Sequence, residues 1–194
     1  MELRLEPSKT ALVVIDLQRG IASMPAAPHP SNEVIARVAQ IASALRAAGG
    51  TVVLVHVVRS PDGKDGLKPI TDAPGPVGKV PTSPPPDWAD IVPELGPEAG
   101  DVVIAKRQWG AFYGTELDLQ LRRRGVDTIV LCGISTNIGV ESTARDAYER
   151  GYQQVFVEDA MSARDADEHR QTVSTLFARI GRVRSTEEVI AALQ

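Results

Sequence analysis

The sequence contains only one cysteine, Cys132, and only three histidines. A single cysteine excludes an internal disulfide framework and any metal site built from several cysteines. His56 stands alone in an apolar run, where a histidine is more often a packed core residue than a metal ligand. His29 lies between two prolines, and His169 falls in a stretch that we predict to be an exposed helix. We therefore expect neither a metal ion nor another cofactor.

Long apolar runs and a strong charge of either sign are also missing. No apolar run approaches the roughly 20 residues that a membrane-spanning helix needs, and the first residues, MELRLEPSKTALVVIDLQ, lack the pattern of a signal peptide. The formal net charge of -4 gives no reason to expect a nucleic-acid partner. The arginines at 122–124 fit a solvated helix face or an oligomer contact. We predict a cytoplasmic protein that acts on a small molecule and binds neither membranes nor nucleic acid.

What the sequence does contain is a regular alternation of apolar runs and amphipathic stretches. Strands are predicted at 11–16, 51–58, 101–106, 127–133 and 153–159, with a short sixth strand around Val183. Helices are predicted at 31–49, 115–125, 139–151, 166–181 and 185–194. This alternation predicts an α/β protein with three layers (α/β/α) around a six-stranded, mostly parallel, Rossmann-like sheet. The length fits a single domain over 1–194.

The stretch 59–100 interrupts this alternation, because it is rich in proline and has no clear periodicity. One short helix is predicted within it, at 87–95. A proline-rich segment of this length in a compact domain is either a functional covering loop or a mobile one. We interpret it as an insertion that shapes the substrate pocket, with a partly mobile loop as the alternative.

Ligands of an open parallel sheet bind at the carboxyl ends of its strands. The first predicted strand ends in Asp16 and the third in Lys106, and we expect neighbouring strand ends to bring these side chains together. In a dry pocket each would keep the other ionised. The alternative is a pair of solvated charges or one structural ion pair. The fourth strand ends in 133-GISTNIG-139, which is not a glycine-rich phosphate loop but is similar to an anion-binding turn before a helix.

These strand ends resemble those of the isochorismatase-like (cysteine hydrolase) family. The matching stretches are ALVVIDLQRG, VIAKRQWGAFYGTELDLQLRRRGVDTIVLCGISTNIGVESTARDAYERGY and VFVEDAMSA, in the family's order. The resemblance implies an Asp–Lys–Cys triad in which Asp16 and Lys106 are the first two members. The nucleophile's position falls on Gly139. The resemblance also implies a cis peptide bond between Ile134 and Ser135, which would turn the N–H groups of Ser135 and Gly139 towards an oxyanion.

A glycine at position 139 leaves this triad without its nucleophile. Isochorismatases proper also lack the cysteine, and the resemblance implies their chemistry, in which an aspartic acid protonates an alkene carbon and water attacks the oxocarbenium ion. We predict vinyl-ether-type hydrolysis with Asp16 as acid/base and Lys106 as its partner. The alternatives are an amidase that uses activated water or Cys132, and an inactive protein that binds a metabolite or a partner. Cys132 should point into the core, where free cysteines usually pack.

Further candidates for binding the substrate lie near the same strand ends: Gln18, Trp109, Phe112, Ser135, Asn137 and Arg59. Arg59 or Arg107 is a candidate for binding a substrate carboxylate, with structural ion pairs to nearby acidic turns as the alternative. The resemblance also implies a homodimer or homotetramer.

Overall fold

The computed structural model describes residues 3–72 and 84–193, and its centre is one sheet of six strands. The strands are β1 Thr10–Ile15, β2 Thr51–Val57, β3 Val102–Lys106, β4 Thr128–Ile134, β5 Gln153–Ser162 and β6 Arg182–Arg184. They lie in the order β3-β2-β1-β4-β5-β6, and every neighbouring pair is parallel. The predicted α/β fold is confirmed, and its mostly parallel sheet is parallel throughout.

Helices cover both faces of this sheet. They are α1 Arg19–Ala22, α2 Ser31–Ala47, α3 Leu117–Arg123, α4 Glu141–Glu149, α5 Ala166–Gln171, α6 Ala178–Ile180 and α7 Thr186–Ala191. Two π-helical turns, Thr136–Val140 and Thr172–Phe177, lead into α4 and join α5 to α6. Within the described residues, none of the helices is long and apolar enough to cross a membrane.

The strand β1 shows how alternation along the sequence creates two apolar layers. Leu12 and Val14 pack with the buried face of α2 and with α7. Ala11, Val13 and Ile15 pack on the other side, with residues of α3 and α4. Successive side chains of a strand point to opposite faces, so a continuous apolar run is what a strand covered on both faces requires.

The strand order creates a crevice beside β1. The chain runs from β1 outward to β2 and β3, then returns to place β4 on the other side of β1. The carboxyl ends of β1 and β4 therefore meet at the switch point of the sheet, which is where ligands bind in such folds. β2 lies between β1 and β3, so the strands that carry Asp16 and Lys106 are not neighbours, and that expectation was wrong.

Part of the proline-rich stretch 59–100 lies outside the described residues, since these omit 73–83. The short helix predicted at 87–95 is wrong. Residues 86–89 form a turn, Ile91 forms an isolated antiparallel bridge with Gln18, and only Pro93–Leu95 makes a single 3-10 turn. Pro93 disfavours helical backbone at the residue before it, and Val92 is accordingly extended, with ψ 139°.

Candidate active site

Asp16 is the first residue after β1, and its backbone is in the left-handed region with φ 55°. Its N–H donates to the carbonyl of Val55 on β2 at 2.9 Å, which fixes this geometry at the strand end. A non-glycine residue with positive φ is uncommon, and such residues concentrate at functional sites. Asp16 is only 5% exposed. The fold therefore holds a buried carboxyl group at the switch point.

Lys106 is the partner of this carboxyl group. It ends β3 and reaches across the end of β2, so that its Nζ lies 2.9 Å from Oδ2 of Asp16. Nζ also donates to the carbonyl of Trp109. The exposed fractions of the two side chains are 0% for the lysine and 7% for the aspartate. The two residues form a buried ion pair, and the alternative of two solvated charges is wrong.

Burial and pairing act on Asp16 in opposite directions. Burial raises the pKa of its carboxyl group, whereas the charge and hydrogen bond of Lys106, and the charge of His56, lower it. Burial is the largest effect, so the pKa of Asp16 lies above its ordinary value. Oδ1 of Asp16 is buried and has no hydrogen-bond partner in the part of the chain that the structure describes. Asp16 thus has one oxygen bound to Lys106 and one available to a ligand.

The turn after β4 completes the site. The peptide bond between Ile134 and Ser135 is cis, as the resemblance implied. Gly139 lies in the following π-helical turn, where a Cβ atom would be 3.1 Å from Oδ2 of Asp16 and 3.2 Å from Nζ of Lys106. Position 139 therefore faces the ion pair directly, and the structure brings Asp16, Lys106 and Gly139 together.

Cys132 lies in β4, away from this group of three. It is fully buried, and its Sγ is 4.0 Å from the carbonyl of Val13 on β1. It belongs to the apolar layer under α2 and α7, as expected for a packing residue. Burial raises the pKa of the thiol, so the reactive thiolate is disfavoured. These contacts leave Cys132 no route to a substrate at the crevice.

Two of the predicted substrate-binding residues have other roles. The amide of Gln18 accepts from Val57 N–H at 2.6 Å and donates to the carbonyls of Val57 and Trp88. It joins the end of β2 to residues 84–95, which we call the covering segment. Phe112 is 4% exposed and packs against Tyr152, with ring centroids 5.9 Å apart, within the layer under α3 and α4. Both side chains make these contacts in the interior, and their part in binding a substrate stays a prediction.

The arginines near the site are engaged by the protein itself. Arg59 donates to the carbonyl of Arg107, at 2.5 Å. Arg107 in turn pairs with Asp65, with Nε 2.8 Å from the carboxylate. The ion-pair alternative thus describes Arg107, whereas Arg59 binds a backbone carbonyl.

Trp109, Ser135 and Asn137 lie in the segments that follow the carboxyl ends of β3 and β4. The Trp109 residue is 52% exposed, although its carbonyl binds Lys106. The carbonyl of Ser135 accepts from two N–H groups of the following π-helical turn. Asn137 donates to Glu168 at 3.1 Å, and its Oδ1 is buried without a hydrogen-bond partner among residues 3–72 and 84–193.

Sequence reasoning missed His169, which was expected on an exposed helix. It is 2% exposed, and its Nδ1 lies 2.8 Å from Oγ1 of Thr136 in the turn after β4. Burial and the nearby His29 lower the pKa of His169 to about 4. The signal was present, since His169, Val173 and Phe177 recur every four residues and all three are buried. Among the described residues, no three His, Cys, Asp or Glu side chains lie close enough together to hold a metal ion.

The family model described as "Isochorismatase domain" matches residues 10–188. The chain is 51% identical over 191 residues to the uncharacterized isochorismatase family protein YecD of Escherichia coli O157:H7, covering 98% of this chain and 100% of that one. It is 50% identical over 190 residues to YwoC of Bacillus subtilis, covering 97% and 96%. It is also 33% identical to the ureidoacrylate amidohydrolase RutB of Methylorubrum extorquens, over 81% of this chain and 71% of that one.

Solved structures show the same fold. An isochorismatase family protein from Burkholderia thailandensis superposes with a TM-score of 0.90 at 46% identity, covering 100% of this chain and 99% of that one. An N-carbamoylsarcosine amidase from Thermoplasma acidophilum superposes with a TM-score of 0.73 at 28% identity, covering 92% and 97%.

Proposed function

This chain belongs to the isochorismatase family and is a hydrolase of that family, and from this premise we propose that it hydrolyses a small metabolite by non-covalent acid/base chemistry. Asp16 is the acid/base group, and Lys106 is its electrostatic partner. The preferred reaction is hydrolysis of a vinyl ether. The protein works in the cytoplasm as a homodimer or homotetramer.

One observation carries this proposal: the buried Asp16–Lys106 pair faces a glycine. A side chain at position 139 would start within 3.2 Å of both charged groups, which is where a nucleophile activated by them would have to be. We infer that Gly139 occupies the position of the family's cysteine. The acid and its partner are present, whereas the atom that would form a covalent intermediate is not.

The reaction needs a carboxyl group that holds a proton near neutral pH. Burial raises the pKa of Asp16 above its ordinary value, which is the direction that this reaction requires. The protonated carboxyl delivers its proton to the alkene carbon of the bound substrate, and water adds to the oxocarbenium ion that results. As Asp16 becomes a carboxylate, Lys106 stabilises the new charge at 2.9 Å. The N–H groups of Ser135 and Gly139 bind a carboxylate of the substrate.

Three side chains are suited to hold the substrate. Trp109 offers a half-exposed ring beside the carbonyl that binds Lys106. Asn137 has a buried Oδ1 free of partners among the described residues, and this atom can accept a hydrogen bond from a ligand. Arg59 becomes available to a substrate carboxylate when it releases the carbonyl of Arg107.

A second candidate is an amidase in which Asp16 activates water. The similarity to RutB and to the N-carbamoylsarcosine amidase supports it, since the names of both proteins describe amide hydrolysis. Such an enzyme would act without Cys132, which is buried and has a raised thiol pKa. The third alternative is a protein that binds a metabolite without turning it over.

The two reactions are separated by their products. We would incubate the protein with 2-methoxyacrylate, a small vinyl ether that releases pyruvate, and with N-carbamoylsarcosine, an amide-type probe that releases ammonia. The proposal is supported if the protein releases pyruvate and Asp16→Asn lowers the rate of this release at least about a hundredfold. Ammonia release instead supports the amidase, and binding without either product supports the metabolite-binding protein.

Asp101→Asn is the matched control. Asp101 is a buried carboxylate paired with Arg46 at 2.6 Å. It directly precedes β3 and therefore lies at the amino end of this strand, whereas Lys106 lies at its carboxyl end. Replacing Asp101 should leave pyruvate release unchanged. Unchanged turnover in Asp16→Asn would contradict the proposed mechanism.

A further inference from the structure

We propose that Thr143 is a positioning residue of this site, whose hydroxyl group joins the turn that contains Gly139 to the loop that holds Lys106. This proposal rests on the proposed function, because it assigns the side chain that keeps two halves of the site aligned. Thr143 is fully buried near the start of α4. It acts through the backbone of its neighbours and not on the substrate itself.

The hydroxyl group of Thr143 makes two hydrogen bonds with backbone groups. It donates to the carbonyl of Gly139 at 2.7 Å, and it accepts from the N–H of Ala111 at 3.1 Å. A carbonyl oxygen only accepts and a backbone N–H only donates, so these partners fix the direction of the hydroxyl proton. The first bond is the usual contact of a helical threonine with the carbonyl four residues before it. The second bond joins segments that are 32 residues apart in the chain.

The loop after β3 connects Ala111 to the lysine of the ion pair. Nζ of Lys106 donates to the carbonyl of Trp109, two residues before Ala111. Ala111 is fully buried, so its N–H needs a partner within the protein, and the hydroxyl group of Thr143 is that partner. The carbonyl of Ala111 accepts from Oγ1 of Thr115 at 2.5 Å. Two threonine side chains therefore fix the loop that binds Lys106.

The turn after β4 is the half of the site that most needs such a restraint. Gly139 has no Cβ atom, so its backbone has more conformational freedom than that of other residues. A Cβ atom there would be 2.9 Å from Cγ2 of Ile15, 3.1 Å from Oδ2 of Asp16 and 3.2 Å from Nζ of Lys106. Even a small shift of this glycine therefore changes the spacing between the turn and the ion pair. The bond from Thr143 restrains the carbonyl of the residue whose N–H is proposed to bind the substrate.

These contacts form a closed circuit around the reacting groups. It runs from Lys106 to the loop after β3, from Ala111 in that loop through Thr143 to Gly139, and from Gly139 back to the ion pair. Without the hydroxyl group, the loop and the turn can move independently, and the bound substrate loses its alignment with the acid. Misplacement by about 1 Å can lower a rate about a hundredfold.

The kinetic test compares Thr143→Val with Thr143→Ser, with 2-methoxyacrylate as the probe. Valine keeps the branched shape but has no hydroxyl group, whereas serine keeps the hydroxyl group and loses a methyl group. We expect kcat to fall at least about tenfold in Thr143→Val with little change in KM, because the restraint acts on the alignment of bound groups. Thr143→Ser should keep most of the rate, although the lost methyl group leaves a small cavity in the core.

Thr10→Val is the matched control. Thr10 is also buried, and its Oγ1 donates at 2.8 Å to the carbonyl of Glu6, four residues before it. It lies at the amino end of β1, whereas Asp16 follows the carboxyl end. Thr10→Val should lose stability in urea and keep its kcat. If Thr143 has only a structural role, Thr143→Val will behave in the same way, and that result overturns the proposal.

Two outcomes separate this proposal from the proposed function. If Thr143→Val keeps its kcat while Asp16→Asn loses it, the assignment of Thr143 is overturned and the proposed function stands. If Asp16→Asn keeps its turnover while Thr143→Val loses it and Thr143→Ser restores it, the acid/base mechanism is wrong and the positioning role stands.

A second measurement needs no turnover. The carboxyl carbon of Asp16 can be observed by NMR and assigned with Asp16→Asn. At one fixed pH its signal should move in Thr143→Val, because the loop that holds Lys106 shifts, and should stay in place in Thr143→Ser and Thr10→Val. The amide of Ala111 should exchange with solvent at least about tenfold faster in Thr143→Val alone. An Asp16 signal that is the same in Thr143→Val as in the unmodified protein overturns the proposal.

Discussion

Replacing Lys106 by Met should destabilise the folded protein far more than removing a lysine from an exposed pair of similar geometry. Nζ of Lys106 lies 2.9 Å from Asp16, and the exposed fractions of the two side chains are 0% and 7%. Lys9 lies 3.0 Å from Glu6, but those side chains are 52% and 59% exposed. Removing one partner of a buried pair costs about 3–5 kcal/mol, whereas solvent screens an exposed pair, which therefore contributes little.

The assay is urea unfolding at neutral pH of Lys106→Met, Asp16→Asn and the double variant, with Lys9→Met as the control. Each single change leaves a buried polar group without its partner, while the double variant leaves a neutral pair. The double variant should therefore be more stable than the two single losses predict, by about 2–4 kcal/mol. An interaction energy below about 0.5 kcal/mol, or a loss in Lys106→Met no larger than in Lys9→Met, would refute the reasoning.

Three further predictions concern the surroundings of the site. The pKa of His169 falls from 6.5 to about 4 on folding. The unfolded chain therefore binds more protons than the folded one between pH 4 and pH 6.5. From this residue alone, the free energy of unfolding should fall by about 2 kcal/mol between pH 8 and pH 5. Urea unfolding at both pH values should show a smaller loss in His169→Asn. Cys132 is fully buried and should react with a thiol reagent such as DTNB only after unfolding, so fast labelling of the folded protein would contradict its packing. Gln18→Leu removes three hydrogen bonds to backbone groups and should cost about 2–3 kcal/mol; hydrogen exchange of the Val57 amide should accelerate, and unchanged exchange would contradict the role of Gln18 as a clamp.

The sequence was sufficient to predict the strands, most helices and the strand ends that meet at the candidate site. β1 and β4 are continuous apolar runs because both of their faces are covered, and such runs end where polar chemistry begins. Asp16, Lys106 and the turn that contains Gly139 could therefore be located as strand ends. Their proximity in space follows from the parallel sheet, and the structure confirms it.

The hydrophobic pattern of the sequence does not predict the properties that depend on tertiary packing. Strand order is one of them, since nothing in β2 itself indicates that it separates β1 from β3. Phe112 follows a strand end but turns into the layer under α3 and α4, and the amide of Gln18 is used by backbone groups. The helix predicted at 87–95 does not form, because Pro93 disfavours helical backbone at Val92.

The most direct test of the central claim, hydrolysis without a covalent nucleophile, is the intact mass of the enzyme during turnover. Samples would be quenched in acid while product release from 2-methoxyacrylate or N-carbamoylsarcosine is measured in the same reaction. The arrangement of Asp16, Lys106 and Gly139 predicts that all of the protein has the mass of the unmodified chain. A population heavier by an acyl or substrate fragment that forms and decays with turnover would contradict it.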